Sequence, residues 1–158
     1  MHPRAEEFAS RARERYGLDV DIREFPEGTK TAADAADAVG CEVGQIASSL
    51  VFDVGEDQVV VVTSGANRVS ESKLASHFDV EPDAVTMADA DDIRETLGWA
   101  IGGVPPLCHE TDLPILFDET LTAYDTVWAA AGTPQAVFPI SPDELLSLSG
   151  ATPADVTE

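Results

Sequence analysis

Four β-branched residues in succession, Val59-Val60-Val61-Val62, constrain this chain more than any other stretch. Branching at Cβ favours extended backbone, and a run without polar alternation is expected of a strand covered on both faces. The run therefore predicts a sheet with packed layers on either side. Just upstream, Ile46 to Val54 reads as a second strand, joined to Gln58–Thr63 by Gly55-Glu56-Asp57 in a hairpin. Along that first strand Ile46, Ser48, Leu50, Phe52 and Val54 share one face by the period of two.

Helices are predicted around this hairpin from apolar spacing and end signals. Ala5, Phe8, Ala9, Ala12 and Tyr16 form an i, i+3, i+4 stripe, with Pro3 near its start and Gly17 after its end. A short strand is expected over Val20 to Phe25. Thr31 can cap a helix carrying Ala32, Ala35, Ala36 and Val39 and ended by Gly40, and its small side chains suit close packing on a sheet. Ser70 and Asp89 begin further helices, the first through Leu74 and Phe78, the second with Ile93 and Leu97 inward. Leu113–Phe117, Thr126–Ala130 and Gln135–Ile140 read as later strands. Ser141-Pro142-Asp143-Glu144 is a capping box ahead of Leu145, Leu146 and Leu148. Without repeat, linker or low-complexity tract, residues 1–158 read as one mixed α+β domain.

The 158 residues carry 30 acidic against 9 basic side chains, a formal net charge of -21. At 44% hydrophobic content the chain is not a disordered acidic tract. Acids punctuate every segment, and lysine is confined to Lys30 and Lys73. Such a coat suits molar salt, where screening shortens to about 3 Å and self-repulsion fades; an ordinary acidic protein is the alternative. Acidity normally argues against a nucleic-acid partner, but in molar salt that argument loses its force. No apolar run reaches the ~20 residues of a membrane span. The first residues lack the apolar core of a signal peptide, so a cytosolic location is expected. His2, His77 and His109 are too scattered, and Cys41 and Cys108 too isolated, to suggest a metal, a cofactor or a disulfide.

Gly102-Gly103-Val104-Pro105-Pro106 is the string most suited to chemistry. Two glycines allow close backbone approach to a ligand, and two prolines stiffen the exit. Such a loop can aim N–H groups at a carbonyl or oxyanion, although a tight connector would read the same way.

The string is one of several motifs in register from about Thr31 to Leu148. The others are Thr31-Ala32-Ala33-Asp34-Ala35-Ala36, Gln45 to Phe52 (QIASSLVF), Asn67-Arg68-Val69 with Lys73-Leu74-Ala75, Pro114 to Glu119 (PILFDE), and Ser141 to Leu145. Together they resemble the YbaK/prolyl-tRNA synthetase-associated family of aminoacyl-tRNA editing domains, here in a haloarchaeal-type form. The resemblance implies a mixed sheet curled into a partial barrel with surrounding helices. It also implies hydrolysis of mischarged tRNA without a cofactor. The implied partners are the aminoacyl-tRNA 3′ end and an aminoacyl-tRNA synthetase, with neither DNA nor membrane involved. Substrate contacts would fall to Lys30, Thr31, Ser49, Gly102, Gly103, Val104, Pro105, Pro106 and Asp118.

Two departures matter. The family places a lysine needed for deacylation within Ile-x-Lys-Ser-Leu, and this chain has Ser48 there. A hydroxyl cannot replace an ammonium as a point charge, but it can hold water or an ester oxygen, with Lys30 as the nearest compensating cation. Ser48 and His109 are accordingly the expected catalytic pair, sharing one cavity with Gly102 and Gly103. A buried serine without function is the alternative. Ala130-Ala131-Gly132 stands where the Cys-tRNA-clearing branch tends to carry Ser-Gly-Gly, so cysteine specificity is not implied. Cys108 occupies a position usually held by glycine. An inactive module that binds an aminoacyl group, a small ligand or a synthetase is the competing expectation.

Overall fold

The computed structural model describes residues 2–25 and 31–158. Its centre is the expected hairpin, β2 (Ile46–Val54) against β3 (Asp57–Ser64). Asp57 pairs with Val54 instead of lying in the connection, which shortens the turn to Gly55-Glu56. Gly55 has φ +63, which suits the first position of a two-residue hairpin turn.

Eight strands among the described residues form one open mixed sheet in the order β1-β7-β6-β2-β3-β5-β8, with β4 also paired to β2. The remaining strands are β1 (Arg23–Glu24), β4 (Val85–Met87), β5 (Ile115–Asp118), β6 (Val127–Ala130), β7 (Ala136–Ile140) and β8 (Thr152–Ala154). β5 runs parallel to β3, and β6 parallel to β2. The strand expected over Val20 to Phe25 shrinks to β1, whose two residues pair with Val137 and Ala136.

Among the described residues five α-helices pack around this sheet: α1 (Pro3–Tyr16), α2 (Ala32–Val39), α3 (Glu71–Phe78), α4 (Ala90–Leu97) and α5 (Pro142–Ser149). The caps act as the sequence predicts. Thr31, Ser70, Asp89 and Ser141 each accept a hydrogen bond from the backbone N–H three residues on.

The valine run is buried on both faces. Val60 and Val62 join a core with Phe8 of α1, Ile93 and Leu97 of α4, Trp99, Phe117 and Phe138. Val59 and Val61 face the other way, with Phe52, Val54, Leu74 of α3, Val85 and Leu116. Burying a valine fully contributes about 1.5–3 kcal/mol, so this one strand ties both layers to the sheet.

Candidate functional site

On the edge away from β3, strand β2 has two different neighbours. β6 pairs with its start, Ile46 opposite Trp128 and Ala47 opposite Ala129. β4 pairs with its end, from Phe52 opposite Met87 to Val54 opposite Val85. Between these pairings the sheet splits, and a cavity of about 460 Å³ opens along Ser48, Ser49 and Leu50. Thr31, Ala32 and Ala35 of α2, Ile93 of α4, the loop residues Ile101, Gly102 and Val104, and Trp128 and Pro134 complete much of its wall.

The wall is mostly apolar, and none of its described residues carries an ionisable side chain. Its polar side-chain groups are the hydroxyls of Thr31, Ser48 and Ser49 and the indole N–H of Trp128. Ser48 is half-buried, pairs through its backbone with Thr63, and its hydroxyl has no hydrogen-bond partner among the described residues. Ser49 Oγ is fully buried and also without a partner. Met87 and Ile101 are each 53% exposed, an unusual state for large apolar side chains, and both stand at this cavity. Arg23 lies 5.6 Å from the ring of Trp128 and brings a cation beside that side of the cavity.

The Gly102–Pro106 loop enters the cavity with only part of its length. Gly102 (φ +86) and Val104 line it, whereas Gly103, Pro105 and Pro106 are buried behind it. A side chain at Gly103 would meet the Thr133 backbone at 2.7–2.8 Å, which fixes glycine there for packing. Gly103 N–H donates to Ala100 O at 3.0 Å and its carbonyl accepts from Gly132 N–H at 3.1 Å, so neither is free for a ligand.

His109 clamps the same loop from behind, and the structure sets it apart from Ser48. Its Nε2 donates to Pro105 O at 2.7 Å, it is 5% exposed, and it borders a surface recess beside Arg15 and Asp112. Burial lowers the imidazole pKa below its ordinary value, with the Pro105 hydrogen bond opposing this, and so favours the neutral ring. The expected sharing of one cavity by Ser48, Gly102, Gly103 and His109 therefore holds for Ser48 and Gly102 and not for Gly103 and His109. The cause is local: Tyr16 Oη accepts from Cys108 N–H, Trp99 Nε1 donates to Cys108 O, and Arg15 donates to His109 O. These bonds pull residues 108 and 109 under α1. Cys108 has φ +65, the left-handed conformation that glycine adopts freely, and burial raises its thiol to about 11.

Asp118 also lies away from the cavity wall. Its Oδ2 accepts from Ser64 N–H, Thr63 Oγ1 and Asn67 Nδ2 at 3.0–3.2 Å, and its Oδ1 accepts from Thr120 N–H at 2.9 Å. Burial raises the carboxyl pKa, but the hydrogen bonds outweigh it and hold the value below the usual range. Asp118 thus ties the end of β3 to the turn after β5. Lys30 lies outside the described residues.

Met87, Ile93, Ile101, Trp128 and Pro134 were absent from the expected site, although Ile93 was expected on the inner side of its helix. Ile101, directly before the glycine pair, was the one such residue with a local signal. The others reach the cavity through strand pairing and helix packing.

The sequence model of the aminoacyl-tRNA editing domain matches residues 26–148, and the chain belongs to that family. The chain is 41% identical to a candidate trans-editing enzyme for prolyl tRNA synthetase of known crystal structure. That comparison has a TM-score of 0.93 and covers 100% of this chain and 99% of the other. It is 29% identical to YwhH, an uncharacterised protein of Bacillus subtilis, over 85% of this chain and 84% of that protein. It is also 28% identical to EbsC of Enterococcus faecalis, a candidate Cys-tRNA(Pro)/Cys-tRNA(Cys) deacylase, over 84% of this chain and 80% of that one. Among the described residues no helix is long and apolar enough to cross a membrane.

Proposed function

We propose that this chain is a trans-editing deacylase that hydrolyses the ester between a wrongly attached amino acid and the terminal ribose of tRNA. The observation that carries this reading is the cavity at the split edge of β2. It lies within the segment matched by the editing-domain family, its volume of about 460 Å³ can hold an aminoacyl group, and Ser48 and Ser49 supply hydroxyls that have no partner among the described residues. Water adds to the ester carbonyl carbon, the bond to the ribose oxygen breaks, and the water proton ends on that oxygen. The products are a free amino acid and an uncharged tRNA end. Aminoacyl esters are labile enough that orientation and one or two hydrogen-bond donors suffice for catalysis. Ser48 holds the water or the ester oxygen, Gly102 and Val104 shape the wall, and Thr31 contributes at the start of α2. His109, Pro105, Pro106 and Asp118 act as positioning residues behind the cavity.

A second reading is favoured by one specific observation. Ser48 stands in place of the family's lysine, and no described wall residue is ionisable, which fits a module that binds an aminoacyl group or a synthetase without turnover. The proposal extends to a cytosolic, salt-adapted setting and a synthetase partner, supported by the charge of -21 and the resemblance to trans-editing proteins.

A panel of mischarged tRNAs assayed in molar KCl separates the two readings. Release of one amino acid well above the uncatalysed rate is expected. Retained binding with no release across the panel would establish the module instead.

A further inference from the structure

Among the described residues, one outward-facing residue of β2 lacks a strand opposite it on the edge away from β3. Ile46 O accepts from Gly65 N–H at 2.8 Å on the β3 side, whereas Val51 O accepts from Ala88 N–H at 3.0 Å on the opposite edge. Backbone groups alternate along a strand, so the odd-numbered residues of β2 aim their N–H and C=O away from β3. Ala47 meets Ala129 of β6 there, and Val51 meets Ala88. Ser49 lies between them with no described strand opposite it, in the wall of the cavity. Its buried hydroxyl is unpartnered as well. With no described strand opposite its outward N–H and C=O, Ser49 offers a donor and an acceptor in a mostly apolar wall, a place to be completed by something bound.

We infer that Ser49 recognises the aminoacyl group as a one-residue β-bridge. Its carbonyl accepts from the substrate's α-amino group, and its N–H donates to the ester carbonyl oxygen. An aminoacyl group presents one nitrogen donor and one carbonyl acceptor across a single Cα, the arrangement of one residue in a strand pair. When water adds to the ester, negative charge grows on the carbonyl oxygen, and the Ser49 N–H bond strengthens as the barrier is crossed. The oxyanion donor is thus a fixed backbone group, which requires no ionisable side chain in the wall. Paired residues direct their side chains to the same face of a sheet. An L-aminoacyl side chain would therefore share the face of Ala47 and Val51, where Ile93 and Val104 pack, and a D-residue would point away. This inference rests on the deacylase reading.

The test uses a non-hydrolysable 3′-(L-alanyl)amino-3′-deoxyadenosine and its propionyl counterpart, which lacks only the α-amino group. The alanyl compound is expected to bind the full chain at least tenfold more tightly than the propionyl one. It should also slow exchange of the Ser49 N–H by at least tenfold in amide hydrogen-exchange NMR. Equal binding of the two compounds, or unchanged Ser49 exchange in the bound state, would each overturn the bridge. If the tRNA panel shows deacylation while these results fail, the bridge alone is wrong. If no tRNA is deacylated and neither compound binds, the deacylase reading falls with it.

Discussion

Position 48 offers the most direct way to alter the chemistry of the cavity. Ser48 is half-buried between Ile46 and Leu50 in an open cleft, so a longer side chain there can keep its head at the mouth. A charged hydrogen bond contributes about 1.5–3 kcal/mol, against which desolvation beside apolar neighbours would depress the ammonium pKa. Ser48→Lys should raise the deacylation rate about tenfold in a folded protein, and Ser48→Ala should lower any native activity. If neither change alters a measurable rate, position 48 takes no part in the reaction. Asp118 shows the opposite kind of residue, one whose polar atoms are fully used. Asp118→Asn keeps one acceptor for the three donors at Oδ2 but loses the charge and sets an NH2 against the Thr120 N–H, a loss of about 1–3 kcal/mol at neutral pH. Because its folded pKa is lowered, the stability it supplies is present above the ordinary carboxylate value and is lost as pH falls through the folded one. Urea unfolding at pH 7 and pH 3 should therefore show a large difference between the two proteins that shrinks in acid.

At the scale of elements, what the sequence revealed was what neighbours in the chain determine. Four of the five described helix N-caps were legible because each cap and its N–H partner lie three residues apart, whereas His2, which accepts from Arg4 N–H two residues on, was not. Ser141→Ala should cost about 1 kcal/mol in thermal or denaturant unfolding and leave the cavity untouched; a change below 0.2 kcal/mol would show that Pro142 alone sets the start of α5. The hairpin was legible for the same reason, within one residue at its turn. β4 and β8 were not. Val85-Thr86-Met87 is too short to show a period, and Thr152-Pro153-Ala154 contains a proline that only an edge strand accepts easily. That loss carried over to the site. Thr31, Ser48, Ser49, Gly102 and Val104 were named from motifs and do line the cavity. The split that creates the cavity depends on where β4 stops and β6 begins along β2, a register that no local pattern encodes. His109 was misplaced for a related reason, since its position follows from Tyr16 and Trp99, neither adjacent to it in sequence.

Over the whole molecule the basic residues are unevenly placed. Four of the nine, Arg4, Arg11, Arg13 and Arg15, lie on α1, where they pair with Glu7, Glu110, Asp19 and Asp112. These exposed pairs contribute little individually and less as salt rises, so they cannot offset a charge of -21. Folding is expected to strengthen with KCl, read as a melting temperature by circular dichroism that climbs from low millimolar to molar salt. A melting temperature independent of KCl would count against a salt-adapted surface. The split edge of β2 has a consequence at this scale too. A sheet edge left open usually invites another chain to add itself as a strand, which is the route to aggregation. Here the open stretch is a single residue, Ser49, stopped on one side by the pairing at Ala47 and on the other by that at Val51. An intruding peptide would need several consecutive residues to gain a hold and would collide with β4 or β6. The opening therefore screens by length, admitting one amino acid at the tip of a long molecule and turning away the polypeptides that crowd a cell.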